Sequence, residues 1–148
     1  SAASDVYKRQ GEEGLKLSSK WKDEGTRTFL GIHTRGFPNL FLIAGPQGGG
    51  GSFNFTDAID EHAEYIVWLL KTMKENGKNR VDVLEEPEAE YTEHCRMADL
   101  STRPLRDCVS YYNGHGDAQP GSLAYYGGGQ WHKFRRRAQE TLEPFIFA

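Results

Sequence analysis

The chain has 148 residues, 37% of them hydrophobic, and a formal net charge of -3. That suits one domain with a modest core or a piece of a larger one, and the charge balance argues against a general binder of nucleic acid or anionic membrane. Cys95 and Cys108 are too few for a disulfide framework or a zinc site and fit a reducing cytoplasm, while no apolar segment approaches the roughly 18 residues needed to span a bilayer.

Residues 1–10, SAASDVYKRQ, carry no initiating Met and no signal pattern, and read as an adapter-like leader outside the native fold. Thr26 to His33, TRTFLGIH, is predicted as a strand. RGFPN at 35–39 is predicted as a turn, because Pro38 presets its own φ and Gly36 tolerates unusual dihedrals. Leu40 to Ala44 is an uninterrupted apolar run of strand length, the pattern of a strand buried on both faces, so the two strands are expected to form a hairpin or sheet edge. Gly45-Pro46 stops that run, and Gly48 to Gly51 lead into Asn54.

From Thr56 to Asn76, the residues Ile59, Tyr65, Ile66, Leu69, Leu70 and Met73 recur at helical spacing, and Gly77 supplies a stop. Asn54 or Thr56 is the expected N-cap, with acidic residues in the first turns. NRVDVLE at 79–85 reads as a short edge strand and Glu86 to Ala98 as a polar helix beginning around Pro87. SYYNGHGDAQPGSLAYYGGG at 110–129 reads as a loop between short extended pieces. Trp131 to Leu142 is predicted as an amphipathic helix with Phe134 and Ala138 on one side; its run Lys133-Phe134-Arg135-Arg136-Arg137 is then a solvated helix face.

A strand, a glycine-rich loop and a capped helix N-terminus in succession can hold a ligand with electron-rich atoms, since free amides point outward there. Glycines cost backbone entropy, so a run of them suggests that something comes close to the main chain; a mobile surface loop is the other reading. The loop lacks the Gly-Lys-Ser/Thr of a P-loop and the spacing of a dinucleotide fingerprint.

Three segments together carry a resemblance: GTRTFLGIHTRGFPNLFLIAGPQ, the helix NFTDAIDEHAEYIVWLL, and SYYNGHGDAQPGSLAYYGGG. In order and content they resemble the C-terminal part of the Baeyer–Villiger monooxygenases, FAD- and NADPH-dependent enzymes that convert ketones to esters or lactones. The resemblance implies an α/β fold: a partial FAD-binding, Rossmann-like domain of the two-dinucleotide-binding flavoproteins over 11–78, and a C-terminal helical and loop extension over 79–148 with an NADP-covering loop.

It further implies that Gly45 and Pro46 lie against the flavin, that Asn54, Phe55 and Thr56 aim their amides at its pyrimidine edge, and that Gly50, Gly51, Ser52, Phe53 and Phe55 line the substrate pocket. Tyr111 stands where the family usually carries a Trp, in the 110–121 loop that orders over NADP; packing is the alternative role for Tyr111 and Tyr112. The family's glycine fingerprints, its long signature and its active-site Arg all fall outside the chain. The implied partners are therefore a ketone and the upstream remainder of the same polypeptide, with no nucleic acid and no membrane.

No catalytic side chain or metal ligand is expected within these residues. His115 and Asp117 lack a nucleophile in a strained elbow, His94-Cys95 lacks partners for a metal, and His62 reads as a core or hydrogen-bonded histidine. Two other readings stay open on the residues alone: a related flavoprotein that oxygenates nitrogen or sulfur or merely oxidises NADPH, and a stand-alone binding module without catalysis.

Overall fold

The computed structural model describes residues 10–48, 54–101 and 130–148. A short 3-10 turn at Glu12–Gly14 precedes helix α1 (Leu17–Glu24), followed by a run of turns over 25–48. Helix α2 (Phe55–Glu75), strand β1 (Val81–Val83), helix α3 (Glu85–Ser101), helix α4 (Gln130–Thr141) and strand β2 (Phe145–Phe147) complete the described elements. The long apolar periodicity yields α2 within a residue of expectation: Asn54 is its N-cap, its side chain accepting from the Thr56 amide at 3.1 Å. At the other end Gly77 sits at φ +64, just beyond the C-cap Asn76. The predicted strand at 79–85 is β1, and both polar helices form where expected.

The expected hairpin of 26–33 and 40–44 does not form. Phe29, Leu30, Gly31 and Ile32 make a tight turn instead, with Leu30 at φ 61 and Gly31 at φ 69, and Phe29 and His33 pair in an isolated bridge. Two successive left-handed residues reverse the chain within four positions, the signature of a type I′ turn, so no strand of eight residues fits. From the second segment only the Leu42 amide reaches back, to the Ile32 carbonyl at 2.8 Å. Leu40 to Ala44 is not buried on both faces either: Leu42 is buried, whereas Ile43 is 53% exposed.

The RGFPN turn forms and docks on β1. Leu40 N donates to Phe37 O at 3.1 Å around Pro38 and Asn39, whose φ is 57. The Asn39 side-chain oxygen accepts from Val81 N and its backbone amide donates to Val81 O, while the Gly36 amide donates to an Asp82 carboxylate oxygen. One edge of β1 is thereby closed without another strand, which answers the hazard of an open edge. The other edge pairs antiparallel with β2 in the register Val81↔Phe147, Asp82↔Ile146 and Val83↔Phe145. The sequence pattern alone did not point to β2 or to α1.

Phe29, Leu30, Ile32, Tyr65, Leu69, Met73, Val81, Val83, Tyr91, Cys95, Trp131, Ala138 and Phe145 form one buried cluster drawn from the 29–32 turn, α2, α3, α4 and both strands. Phe29 lies at its centre, edge-on to Tyr91, Phe134 and Phe145 at 5.9, 6.5 and 6.0 Å between ring centroids. Full burial of each such side chain stabilises the fold by roughly 1.5–3 kcal/mol. Within the same interior, His33 Nε2 lies 3.1 Å from the Tyr65 hydroxyl, and its ring is surrounded by Phe41, Tyr65 and Phe145. Burial pulls the His33 pKa from 6.5 down to about 3, and it raises that of Tyr65.

Glu88 of α3 is 2% exposed and ties three segments together. Its carboxylate accepts from Lys20 Nζ of α1 at 2.7 and 3.0 Å, from Thr34 Oγ1 at 3.2 Å and from the Arg35 amide at 2.8 Å. Lys20 Nζ also donates to Thr34 Oγ1 and Arg35 O, so both buried charges are saturated with partners. Glu88→Gln leaves the Lys20 ammonium uncompensated in the interior and is expected to cost about 3–5 kcal/mol. Adding Lys20→Met to that variant restores part of the loss, as read from urea denaturation of the two proteins.

At Gly31 a Cβ would stand 2.1 Å from Gly48 Cα and 2.3 Å from Gly48 N, whereas at Gly77 it would meet nothing within 4 Å. Both residues have positive φ, so the comparison isolates the steric contact. Gly31→Ala is expected to destabilise by about 3 kcal/mol or more, against about 1 kcal/mol for Gly77→Ala; equal shifts in urea midpoint would refute this. The His33 pKa predicts a pH effect as well. The unfolded chain binds a proton below about 6.5 that the folded chain refuses, so stability is full above that pH and falls as pH drops toward about 3. His33→Gln removes that slope, about 1.4 kcal/mol per pH unit. The stability gap between parent and variant should narrow from pH 7 to pH 5 in urea titrations.

Candidate functional site

The loop entered after Leu42 and the N-terminus of α2 are the two described segments of the candidate site. Gly45, Pro46, Gln47 and Gly48 form a turn closed by Gly48 N donating to Gly45 O at 3.1 Å. Pro at the second position and a left-handed residue at the third, Gln47 with φ 63, are the marks of a type II turn. A glycine is favoured at that third position, and Gln47 occupies it because its side chain is engaged elsewhere. Its Oε1 accepts from Thr28 Oγ1 at 2.7 Å and Thr28 N at 3.2 Å, its Nε2 donates to Thr26 O at 3.0 Å, and its own carbonyl accepts from the Tyr91 hydroxyl at 2.7 Å. Gln47 is fully buried, and these bonds offset its backbone strain.

His62, buried in the second turn of α2, bridges the same loop to the helix. Its Nδ1 lies 3.2 Å from the Ala44 amide and its Nε2 2.8 Å from the Gly48 carbonyl. Trp131 of α4 stacks on the imidazole, with ring centroids 5.5 Å apart and planes 20° apart, and the Trp131 indole N–H donates to Leu30 O at 2.9 Å. Arg135 lies over the Trp131 ring at 5.6 Å and forms an ion pair with Glu61. The histidine read from sequence as a hydrogen-bonded core residue is one; burial lowers its pKa, partly opposed by the Gly48 bond.

At Gly48 a Cβ would come within 2.7 Å of His62 Cε1, and at Gly45 one would come within 2.6 Å of Gly31 O. Something does approach the main chain closely at these two positions, and it is the protein itself. Gly50, Gly51, Ser52, Phe53 and Tyr111 lie outside the described residues, as do Cys108, His115, Asp117 and the 110–121 loop.

Phe55 is 66% exposed at the first position of α2, next to the cap Asn54 and Thr56. The helix dipole gives this end a partial positive charge, with Asp57 in the first turn. Exposed Ile43 and Phe55 add apolar surface, and Gly45 and Pro46 are half-buried. This arrangement presents backbone donors and apolar surface without a nucleophile, which suits holding a flat, electron-rich ligand edge. Among the described residues, no group of three or more His, Cys, Asp or Glu is placed to hold a metal ion, and no helix is long and apolar enough to cross a membrane.

Gln47, Thr28 and Trp131 were not among the residues singled out from sequence. A buried amide at the third position of a Gly-Pro turn was the available signal for Gln47; nothing local marks Trp131 as the partner of His62, since the two are far apart in the chain.

No protein-family model matches the chain. It is 34% identical over 127 residues to pentalenolactone D synthase of Streptomyces exfoliatus, covering 83% of this chain and 21% of that protein. It is 34% identical over 122 residues to a Baeyer–Villiger monooxygenase of Penicillium patulum, covering 78% of this chain and 20% of that protein. Among solved structures, that of OTEMO in complex with FAD and NADP matches 99% of this chain and 27% of its own, with a TM-score of 0.81 at 26% identity. The chain thus spans about a fifth of the length of the curated relatives it matches. Its fold is a partial α/β domain of the kind found in these FAD- and NADP-binding proteins, and the chain belongs to the Baeyer–Villiger monooxygenase family.

Proposed function

We propose that the chain is the C-terminal part of a FAD-dependent monooxygenase that uses NADPH and O2 to convert a ketone to an ester or lactone. The reaction balances as ketone plus O2 plus NADPH plus a proton giving ester, water and NADP+. The observation that carries this reading is the match along 99% of the chain to a relative crystallised with both FAD and NADP. It runs through the Gly45–Gly48 turn and α2, where the geometry offers backbone donors beside apolar surface.

The described residues fit one edge of a flavin. Gly45 and Pro46 present half-buried main chain, and the α2 N-terminus at Asn54, Phe55 and Thr56 presents a favourable dipole, the Thr56 amide being capped by the Asn54 side chain. When bound, the flavin supplies the two-electron chemistry with O2, and this chain's part is to bind its ring edge, orient it and exclude water. By the same reading Gly50, Gly51, Ser52, Phe53 and Phe55 line the ketone pocket, and Tyr111 orders the 110–121 loop over NADP. Residues 11–78 then belong to the FAD-binding domain and 79–148 to its extension, in a cytoplasmic enzyme.

The complete enzyme, supplied with NADPH, 18O2 and a cyclic ketone, is expected to give a lactone carrying one labelled oxygen. A product oxygenated on nitrogen or sulfur, or NADPH consumed only to peroxide, would overturn the reading. The 148-residue chain alone should lose FAD on gel filtration, because it holds only the ring edge; stoichiometric flavin absorbance in the protein peak would contradict that.

A further inference from the structure

We propose that His62 is the positioning residue of the site: carrying its proton on Nε2, it locks the 44–48 backbone to α2 and sets the spacing between the two segments. The inference rests on reading those segments as the flavin edge, and its test separates the two. A backbone N–H can only donate, so His62 Nδ1 must accept from Ala44; a carbonyl can only accept, so Nε2 must carry the hydrogen directed at Gly48 O. One ring therefore holds both ends of a five-residue segment.

Gln47 ties the same segment to Thr26, Thr28 and Tyr91, away from α2. His62 stands seven residues beyond Phe55 on α2, about 10 Å along the helix axis, so its two bonds fix the turn relative to that helix end. The ring is held on one face, where Trp131 stacks on it and is itself held by Leu30 O, and a Cβ at position 48 would come within 2.7 Å of its Cε1. Its proton placement follows from the same contacts. A second proton would set an Nδ1 donor against the Ala44 donor, and burial keeps the ring neutral.

His62→Phe keeps an aromatic ring against Trp131 and removes both hydrogen bonds, whereas His62→Gln keeps a donor able to reach Gly48 O. In the 148-residue chain, nitrogen NMR of the imidazole should show Nε2 protonated and Nδ1 bare. Hydrogen exchange at the Ala44 amide should quicken about tenfold in His62→Phe, with α2 amides from Tyr65 to Met73 unchanged. In the FAD-loaded complete enzyme at saturating ketone, His62→Phe should raise the share of NADPH electrons appearing as hydrogen peroxide several-fold, and His62→Gln should recover most of the coupling. The opposite tautomer, unchanged Ala44 exchange, or coupling that stays at the parent value or fails equally in both variants would overturn the proposal. Faster Ala44 exchange in an enzyme whose parent makes no flavin-dependent use of O2 would leave the lock standing and sink the functional reading.

Discussion

The contact of Gly31 with Gly48 is the constraint around which the described structure is arranged. Here two main chains pass so closely that a Cβ on Gly31 would stand 2.1 Å from the opposing Cα. Neither backbone can back away independently. Phe29 and Ile32, on either side of Gly31, are anchored in the core, while Gly48 is held by the Gly45 carbonyl and by His62. Because Leu30 O, in the same turn, accepts from Trp131, the contact also fixes α4. Turn, loop and two helices are thus positioned by a single close approach, with steric exclusion as its cause.

Around that contact, buried Gln47 and Glu88 and the exposed Asn39 each bind a segment other than their own. Gln47 connects the loop to Thr26, Thr28 and Tyr91; Glu88 connects α3 to α1 and the Arg35 turn; Asn39 connects its turn to β1. Turns dominate residues 25–48 and supply few ladder bonds of their own. Side chains take the place of a strand partner for β1 and of regular structure for the loop, which satisfies the rule that buried backbone groups find partners.

Local pattern and capping chemistry made α2, α3, α4 and β1 legible in the sequence, and Asn54 and Gly77 mark the ends of α2 as their residue types suggest. TRTFLGIH misled for a physical reason: its apolar and β-branched residues satisfy strand preference, but Leu30-Gly31 adopt left-handed φ because Gly48 demands the space beside Gly31. That demand is a tertiary fact with no local trace. Leu70 shows the same limit, since it fits the helical periodicity yet is 47% exposed while His62, polar in composition, is buried on the core side. The Gly45-Pro46 turn and the Asn54 cap beside the candidate site were legible because turn and cap residues announce themselves. Trp131 was not, because its role depends on meeting His62 and Leu30 in space.

The buried titratable groups of the described residues all favour their uncharged forms or are saturated by partners. Burial lowers His33 to about 3 and pulls His62 down, raises Tyr65, and pushes the Cys95 thiol up to about 12 despite a bond from Tyr91 that acts the other way. His33, Tyr65 and Cys95, so far from neutral pH, are poor proton donors or acceptors in turnover, since acid–base catalysis works best with a pKa near the working pH. Such groups can still aim hydrogen bonds without change as charge develops nearby, and a neutral imidazole of fixed tautomer is suited to that. Under the proposed function, the described region contributes through the placement of its backbone, and the side chains that matter in it are those that hold the backbone still.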